Sequence, residues 1–301
     1  MNLDNLTGEL AGLGAALAFS FTSTFFTLAG RKLSAISTLA LSMPISCVIL
    51  MGLHLLTVGE IVPTSAPLER WFYLGVSSIS GFVISSFFIL RSFQYIGTRL
   101  TLLIGSLAPI LSAILAWIFL DQALSANSVV GIVLVVAGII WVVSEGGKGK
   151  TTERDDNYHK GLLFALMGAL GQAIAFVFSS QGVAGDFPPI SASLMRTVVA
   201  VVTVWVMLAV QGNLKHNLRL IQTESHSMKF IFIASITGPV IGASFVLLAL
   251  QFASVGVAST LINTTPIMII PIGYFVFKER ITVHAIVGTI VAIIGIAILF
   301  T

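Results

Sequence analysis

Residues 77–94 read SSISGFVISSFFILRSFQ, and residues 234–251 read ASITGPVIGASFVLLALQ. The two stretches lie 157 positions apart, and at this shift residues 71–143 align with residues 228–300 without a gap. Chance matches of Val, Ile and Leu are expected between apolar sequences, whereas matched Gly, Pro and Gln in one register are not. The alignment therefore predicts a duplicated structural unit. The matched pairs include Gly81 and Gly238, Gln94 and Gln251, and Pro109 and Pro266.

The composition around this repeat is typical of a membrane protein. Of the 301 residues, 56% are apolar and 9% are charged, and the mean hydropathy is +1.04. A soluble domain carries about 25% charged residues, and a helix needs about 20 mostly apolar residues to cross a bilayer. Ten apolar segments are predicted as spans: 8–29, 34–57, 71–92, 99–120, 127–144, 160–182, 189–211, 229–252, 257–277 and 283–300.

The predicted fold is all-α and polytopic, with ten transmembrane helices arranged as two inverted five-helix repeats. The first repeat covers residues 1–144, a charged and glycine-rich linker covers 145–159, and the second repeat covers 160–301. Because five is odd, the second repeat enters the membrane from the opposite side, as in many secondary transporters. An alignment of the first two spans near a shift of 154 is weaker than the alignment of the last three.

The ends of the two repeats resemble a known family. Residues 108–121 (APILSAILAWIFLD) and residues 265–280 (TPIMIIPIGYFVFKER) resemble EamA-type transporters of the drug/metabolite transporter superfamily. The resemblance implies ten helices around a central cavity, a multi-pass protein of the cytoplasmic membrane, and movement of metabolites or amino acids, often outward. The chain departs from the family pattern at Phe19-Ser20, where Trp-Gly is frequent, and at Ser42, where an arginine is common.

Polar side chains inside the predicted spans are candidates for the lining of a substrate cavity. Arg196 lies about two turns inside the seventh span and could bind an anionic group such as a carboxylate. Its alternatives are snorkelling to the membrane interface or pairing with Asp186. For the smaller residues the alternative is helix–helix packing, because small side chains let backbones approach. The candidates are Ser20, Thr24, Ser80, Gln172, Arg196, Asn263 and Thr264.

Two prolines are candidates for gating. Pro109 and Pro266 occupy equivalent positions of the two repeats, inside predicted spans. A proline in the middle of a helix frees a backbone carbonyl and permits a kink. A purely structural bend is the alternative.

The sequence gives little support to other classes of function. The only cysteine is Cys47, in an apolar segment, and the five histidines lack metal-ligand spacing, so neither a metal nor another cofactor is predicted. Basic patches typical of nucleic-acid binding are missing from the sequence. We therefore expect a small-molecule substrate and contact with membrane lipids. The alternative is a membrane protein that does not transport, either an enzyme or a sensor.

Small residues with helical spacing predict the packing and the oligomeric state. Gly8 and Gly12, and Gly238 and Gly242, are four positions apart, which permits close helix contacts. We expect these contacts within one chain, and hence a monomer.

Two lines of reasoning give opposite orientations of the chain in the membrane. Nearly all lysines and arginines lie in the loops that follow odd-numbered spans. By the positive-inside rule this distribution places both termini outside. Transporters of the family that the chain resembles are usually described with both termini in the cytoplasm.

Overall fold

The computed structural model describes residues 3–29, 33, 35–145, 158–277 and 283–300. These residues form helices joined by turns and contain no β-strand. The helices are α1 (Leu3–Ala29), α2 (Ala35–Val58), α3 (Leu68–Ser78), α4 (Ser86–Gly105), α5 (Ala108–Leu120), α6 (Ala126–Glu145), α7 (Tyr158–Val183), α8 (Pro189–Val210), α9 (Leu214–Thr223), α10 (Ser225–Ser235), α11 (Ala243–Phe252), α12 (Val255–Ile262), α13 (Thr265–Phe277) and α14 (Val283–Leu299). A first π segment (Ile79–Ser85) joins α3 to α4, and a second π segment (Ile236–Gly242) joins α10 to α11.

The all-helical class is as predicted. By length and composition, the described residues form eight helical stretches that could cross a membrane. Two further apolar helices, α5 and α14, are shorter. Most of the predicted linker between the halves, residues 146–157, and the loop at 278–282 lie outside the described residues.

The repeat found in the sequence is also present in the helix boundaries. Shifted by 157 positions, α3 coincides with α10, the first π segment with the second, and α5 with α13. A π-helix is rare and local, so its occurrence at the same place in both halves is independent support for the alignment. The two halves share a structure over these elements.

The connection between the third and fourth predicted spans is helical. The sequence predicts separate spans at 71–92 and 99–120, whereas α4 is helical throughout. The hydroxyl oxygens of Ser92 and Thr101 lie 2.7 Å apart, although nine residues of straight helix cover about 13.5 Å. The axis of α4 therefore turns sharply between these residues. In the second half the corresponding turn is a break between α11 and α12.

The last helices of the two halves, α6 and α14, are in backbone contact. A Cβ added at Gly138 would lie 2.6 Å from the carbonyl oxygen of Gly288, and one added at Gly131 would lie 3.0 Å from that of Gly295. The 157-position shift carries Gly131 to Gly288 and Gly138 to Gly295. The contact is thus built from the same two positions of each half.

Two hydrogen bonds between the halves are also related by the repeat. The Ser78 hydroxyl on α3 donates to the carbonyl oxygen of Arg196 on α8 at 2.7 Å. The Ser235 hydroxyl on α10 donates to the carbonyl oxygen of Ser42 on α2 at 3.2 Å. Ser42 corresponds to Arg196 at the shift of 154 that relates the first two spans. The second and third helices of the halves therefore follow the same symmetry as the last ones.

The two pairs of glycines spaced four positions apart pack against other parts of the same chain, as expected. A Cβ added at any of them would lie within 3.0 Å of another helix or its end, so close approach requires their lack of a side chain. The neighbours are Ala253 for Gly8, Leu261 for Gly12, Thr22 for Gly238 and Phe19 for Gly242.

Candidate substrate site

Arg196 lies in the third turn of α8 and points into the protein. Only 6% of its surface is exposed. Its guanidinium carbon lies 5.0 Å from the ring centroid of Phe82 in the first π segment, within the range of a cation–π contact. Within the described residues, its Nε has no hydrogen-bond partner and no carboxylate, Asp186 included, is seen paired with the guanidinium. The buried position also excludes snorkelling in this conformation.

The lack of a side chain at Gly81 lets α7 pack against the first π segment beside Arg196. A Cβ added at Gly81 would lie 3.9 Å from Nη2 of Arg196, 3.8 Å from Oε1 of Gln172 and 2.9 Å from Cβ of Ala175. The approach to Ala175 is therefore too close for any side chain at Gly81. The guanidinium and the amide of Gln172 border this contact. Two of the predicted candidates are brought together here.

Two serines lie on the elements that meet at Gly81. Ser80 precedes Gly81, and its hydroxyl donates to the carbonyl oxygen of Val76 at 2.8 Å. Ser179 lies one helical turn beyond Ala175 on α7, and its hydroxyl is buried without a partner among the described residues. Ser80 is thus satisfied by its own helix. Ser179, outside the candidate set, has an unused donor.

The candidates on α1 bond to their own helix. The hydroxyl of Ser20 donates to Leu17 O at 2.6 Å, and that of Thr24 donates to Ser20 O at 2.9 Å. Both residues are buried. Between them, Thr22 shares a hydrogen bond of 2.8 Å with Thr237 of the second π segment. This part of α1 therefore packs on the second half.

Asn263 and Thr264 form the turn between α12 and α13. The amide of Asn263 donates to Ser259 O at 2.8 Å, and the hydroxyl of Thr264 donates to Leu261 O at 2.6 Å. Each of these carbonyl oxygens also accepts the backbone N–H of the same residue, Asn263 or Thr264, so the side chains add a second hydrogen bond at the end of α12. Their present contacts are those of a helix terminus.

The predicted mid-helix position of the two prolines is wrong. Pro109 is the second residue of α5, and Pro266 is the second residue of α13. A proline in the first turn of a helix breaks no internal hydrogen bond, because that N–H has no helical acceptor. The breaks lie before them, at residues 106–107 and 263–264. Gating by these prolines stays a prediction.

The sequence reasoning missed Gly81 and Phe82 as neighbours of Arg196. Gly81 carried a signal, because it is one of the matched glycines of the repeat. Phe82 carried none, since an aromatic residue in an apolar span is ordinary. Its role depends on which helix faces it.

An apolar groove of about 370 Å³ lies elsewhere, between α5 and α6. Ile114, Trp117 and Val133 line it and are exposed on the outside of the bundle. It contains none of the predicted site residues, and it is suited to lipid rather than to a polar solute. No group of three His, Cys, Asp or Glu side chains that could hold a metal occurs in the described ranges.

One of the comparisons with known proteins identifies a family. The model of the EamA-like transporter family matches residues 6–144 and again residues 159–301. Among curated proteins, none matches the chain. Among solved structures, 29 chains match. One, described as "Crystal structure of protein", has a TM-score of 0.78 at 16% identity and covers 97% of this chain and 95% of its own. At that identity the likeness shows the fold.

Proposed function

Because the chain belongs to the EamA-like transporter family, we propose that it is a secondary transporter that exports small polar metabolites, such as amino acids. The family match covers both halves, so the chain is a multi-pass membrane protein with the repeat of a drug/metabolite transporter. We place it in the cytoplasmic membrane with ten spans, α5 and α14 being the short ones.

The observation that carries the mechanism is the equivalence of the halves. They share helix boundaries, π segments and the reciprocal hydrogen bonds of Ser78 and Ser235. In an inverted repeat, two halves with the same structure can exchange conformations, and an outward-open state then implies an inward-open one. We propose alternating access of a central site between the halves on this basis.

The proposal also specifies the oligomeric state in which the protein works. The candidate polar residues lie inside the monomer, and the matched glycines are used in contacts within the chain. The protein then acts as a monomer in lipid, on small molecules, without a nucleic acid, a cofactor or a catalytic reaction.

Transport in reconstituted vesicles tests this function. The purified full chain is placed in liposomes loaded with a panel of amino acids and organic acids, and counterflow of each labelled solute is measured. Liposomes without protein are the control. At least one solute should exchange above the control, and in membrane vesicles of defined sidedness it should move outward. If no solute of a broad panel exchanges, the transporter proposal fails.

A further inference from the structure

We propose that Arg196, together with Phe82 and Gln172, binds the carboxylate group of the transported solute. The inference rests on the proposed function and names its substrate class. Small solutes with a carboxylate, including amino acids in their zwitterionic form, are the class that this site fits.

The first argument is charge. Arg196 is 94% buried, since 6% of its surface is exposed, and no acidic side chain in the described ranges is seen to neutralise it. A buried cation without an anion is strongly unfavourable, in a membrane protein above all. The face of Phe82 compensates only part of this cost. An anion bound from solution would complete the compensation.

The second argument is the geometry of the guanidinium. Nε has no hydrogen-bond partner among the described residues, and Nη2 lies beside Gly81, 3.9 Å from a Cβ added there. These two nitrogens form one edge of the guanidinium. Such an edge offers two parallel N–H donors, which match the two oxygens of a carboxylate. The edge of Arg196 that carries the unpartnered Nε is therefore the edge that a carboxylate would meet.

The third argument is the set of polar neighbours. Oε1 of the half-buried Gln172 lies beside Gly81, and its amide is not seen to bond to another described residue. Rotation of the amide by about 180° would present its NH2 group, which can donate to a carboxylate. Ser179 holds a buried hydroxyl without a partner one turn along α7 from Ala175. Unsatisfied buried polar groups are rare and call for an explanation. The two unpartnered groups, Nε of Arg196 and the Ser179 hydroxyl, are explained together by a polar ligand group.

The first half lacks this site. Ser42 occupies the position equivalent to Arg196 and is fully buried, with its hydroxyl donating to Leu39 O at 3.1 Å. The symmetric scaffold thus holds a single guanidinium at this level. One carboxylate is bound per chain.

Ligand pairs that differ only at the carboxyl group test the assignment. The melting temperature of the full-length protein in detergent is measured with increasing leucine and leucinamide, lactate and lactamide, and succinate and succinamide, with inorganic phosphate as a further probe. We expect at least one acid to stabilise the wild type at concentrations about tenfold or more below its amide. Arg196→Gln should abolish that preference. Arg196→Lys keeps the charge but loses the two parallel N–H donors of the guanidinium, so it should retain part of the preference.

Arg219→Gln is the matched control, because Arg219 is exposed on α9 and should leave the preference unchanged. The proposal is overturned if no acid is preferred over its amide in the wild type, if phosphate alone stabilises, or if the preference survives in Arg196→Gln. The wild-type comparison tests the substrate class even if both Arg196 variants fail to fold.

The experiments distinguish failure of the carboxylate site from failure of the transporter function. If uncharged or cationic solutes exchange in vesicles and carboxylates neither exchange nor stabilise, the transporter stands and the carboxylate site is wrong. If carboxylates stabilise through Arg196 and no solute exchanges, the site stands and the transporter is wrong.

Discussion

At the scale of single residues, Ser78 makes the contact that fixes the backbone of Arg196. Its side chain is fully buried and donates 2.7 Å from the carbonyl oxygen of Arg196. The bond joins α3 of one half to α8 of the other. It thereby connects the candidate site to the interface between the halves.

Replacing this serine should destabilise the protein modestly. Ser78→Ala removes the donor and leaves the carbonyl oxygen of Arg196 without this bond, at a cost of about 1 kcal/mol. We expect a fall of about 2–4 °C in the melting temperature of the purified protein. Thr57→Ala on α2 is the control, because Thr57 is exposed and bonds only to its own helix. A loss no larger than that of the control would show that the contact contributes nothing.

Part of the site could be predicted from the sequence. Arg196 and Gln172 stand out because charged and amide side chains are costly inside an apolar span. Gly81 and Phe82 could not be assigned, since their roles depend on the face that α8 presents to the first π segment. The hydroxyls of Ser20 and Thr24 were predicted as cavity groups, but each bonds to its own helix, as mid-helix Ser and Thr commonly do.

At the scale of elements, the two π segments have a glycine contact in common. Pro239 lies in the second segment, and Phe82 occupies its place in the first, so proline is not the shared cause. Gly81 and Gly238 are shared, and each packs against the first helix of the other half. Hydrophobic periodicity could not predict these segments, because one extra residue in a turn barely changes an apolar pattern.

The contact between α6 and α14 predicts a strong effect of a larger side chain. Gly138→Leu would place Cβ 2.6 Å from a backbone oxygen of α14, so the helices must separate. Overpacking of this kind costs about 1–3 kcal/mol. We expect a melting temperature several degrees lower and reduced recovery of monodisperse protein in gel filtration.

Gly52→Leu is the matched control for this prediction. Gly52 lies in the interior of α2, and a Cβ there would have no neighbour within 4 Å. Leucine also favours helix over glycine, so this variant should be as stable as the wild type. Equal melting temperatures for the two variants would contradict the glycine contact.

At the scale of the whole molecule, the number of spans fixes the relation of the termini. The proposed ten spans would place both termini on one side of the membrane, and the positive-inside rule predicts that this side is outside. Reporters fused to either end, one active only in the cytoplasm and one only outside, should give the same answer at both ends. Opposite answers would exclude ten spans, and cytoplasmic activity at both ends would contradict the orientation alone.

The sequence predicts the architecture better than the details of its turns. The shift of 157 recurs in the boundaries of α3, α5, α10 and α13 because Gly and Pro mark turns and close contacts in both copies. The turn within α4 was predicted as a loop, and the two prolines as kinks within helices. Both errors concern the places where a helix changes direction, which tertiary packing decides.

The glycine contact of α6 and α14 has a consequence for stoichiometry. Gly131 meets Gly295 and Gly138 meets Gly288, so each half presents the same patch to its equivalent. This is the isologous contact of a twofold homodimer, formed inside one polypeptide. A half on its own could bury its glycines only against a second copy inserted upside down. Joining the halves in one chain guarantees each patch its inverted partner at a ratio of one to one, at any expression level.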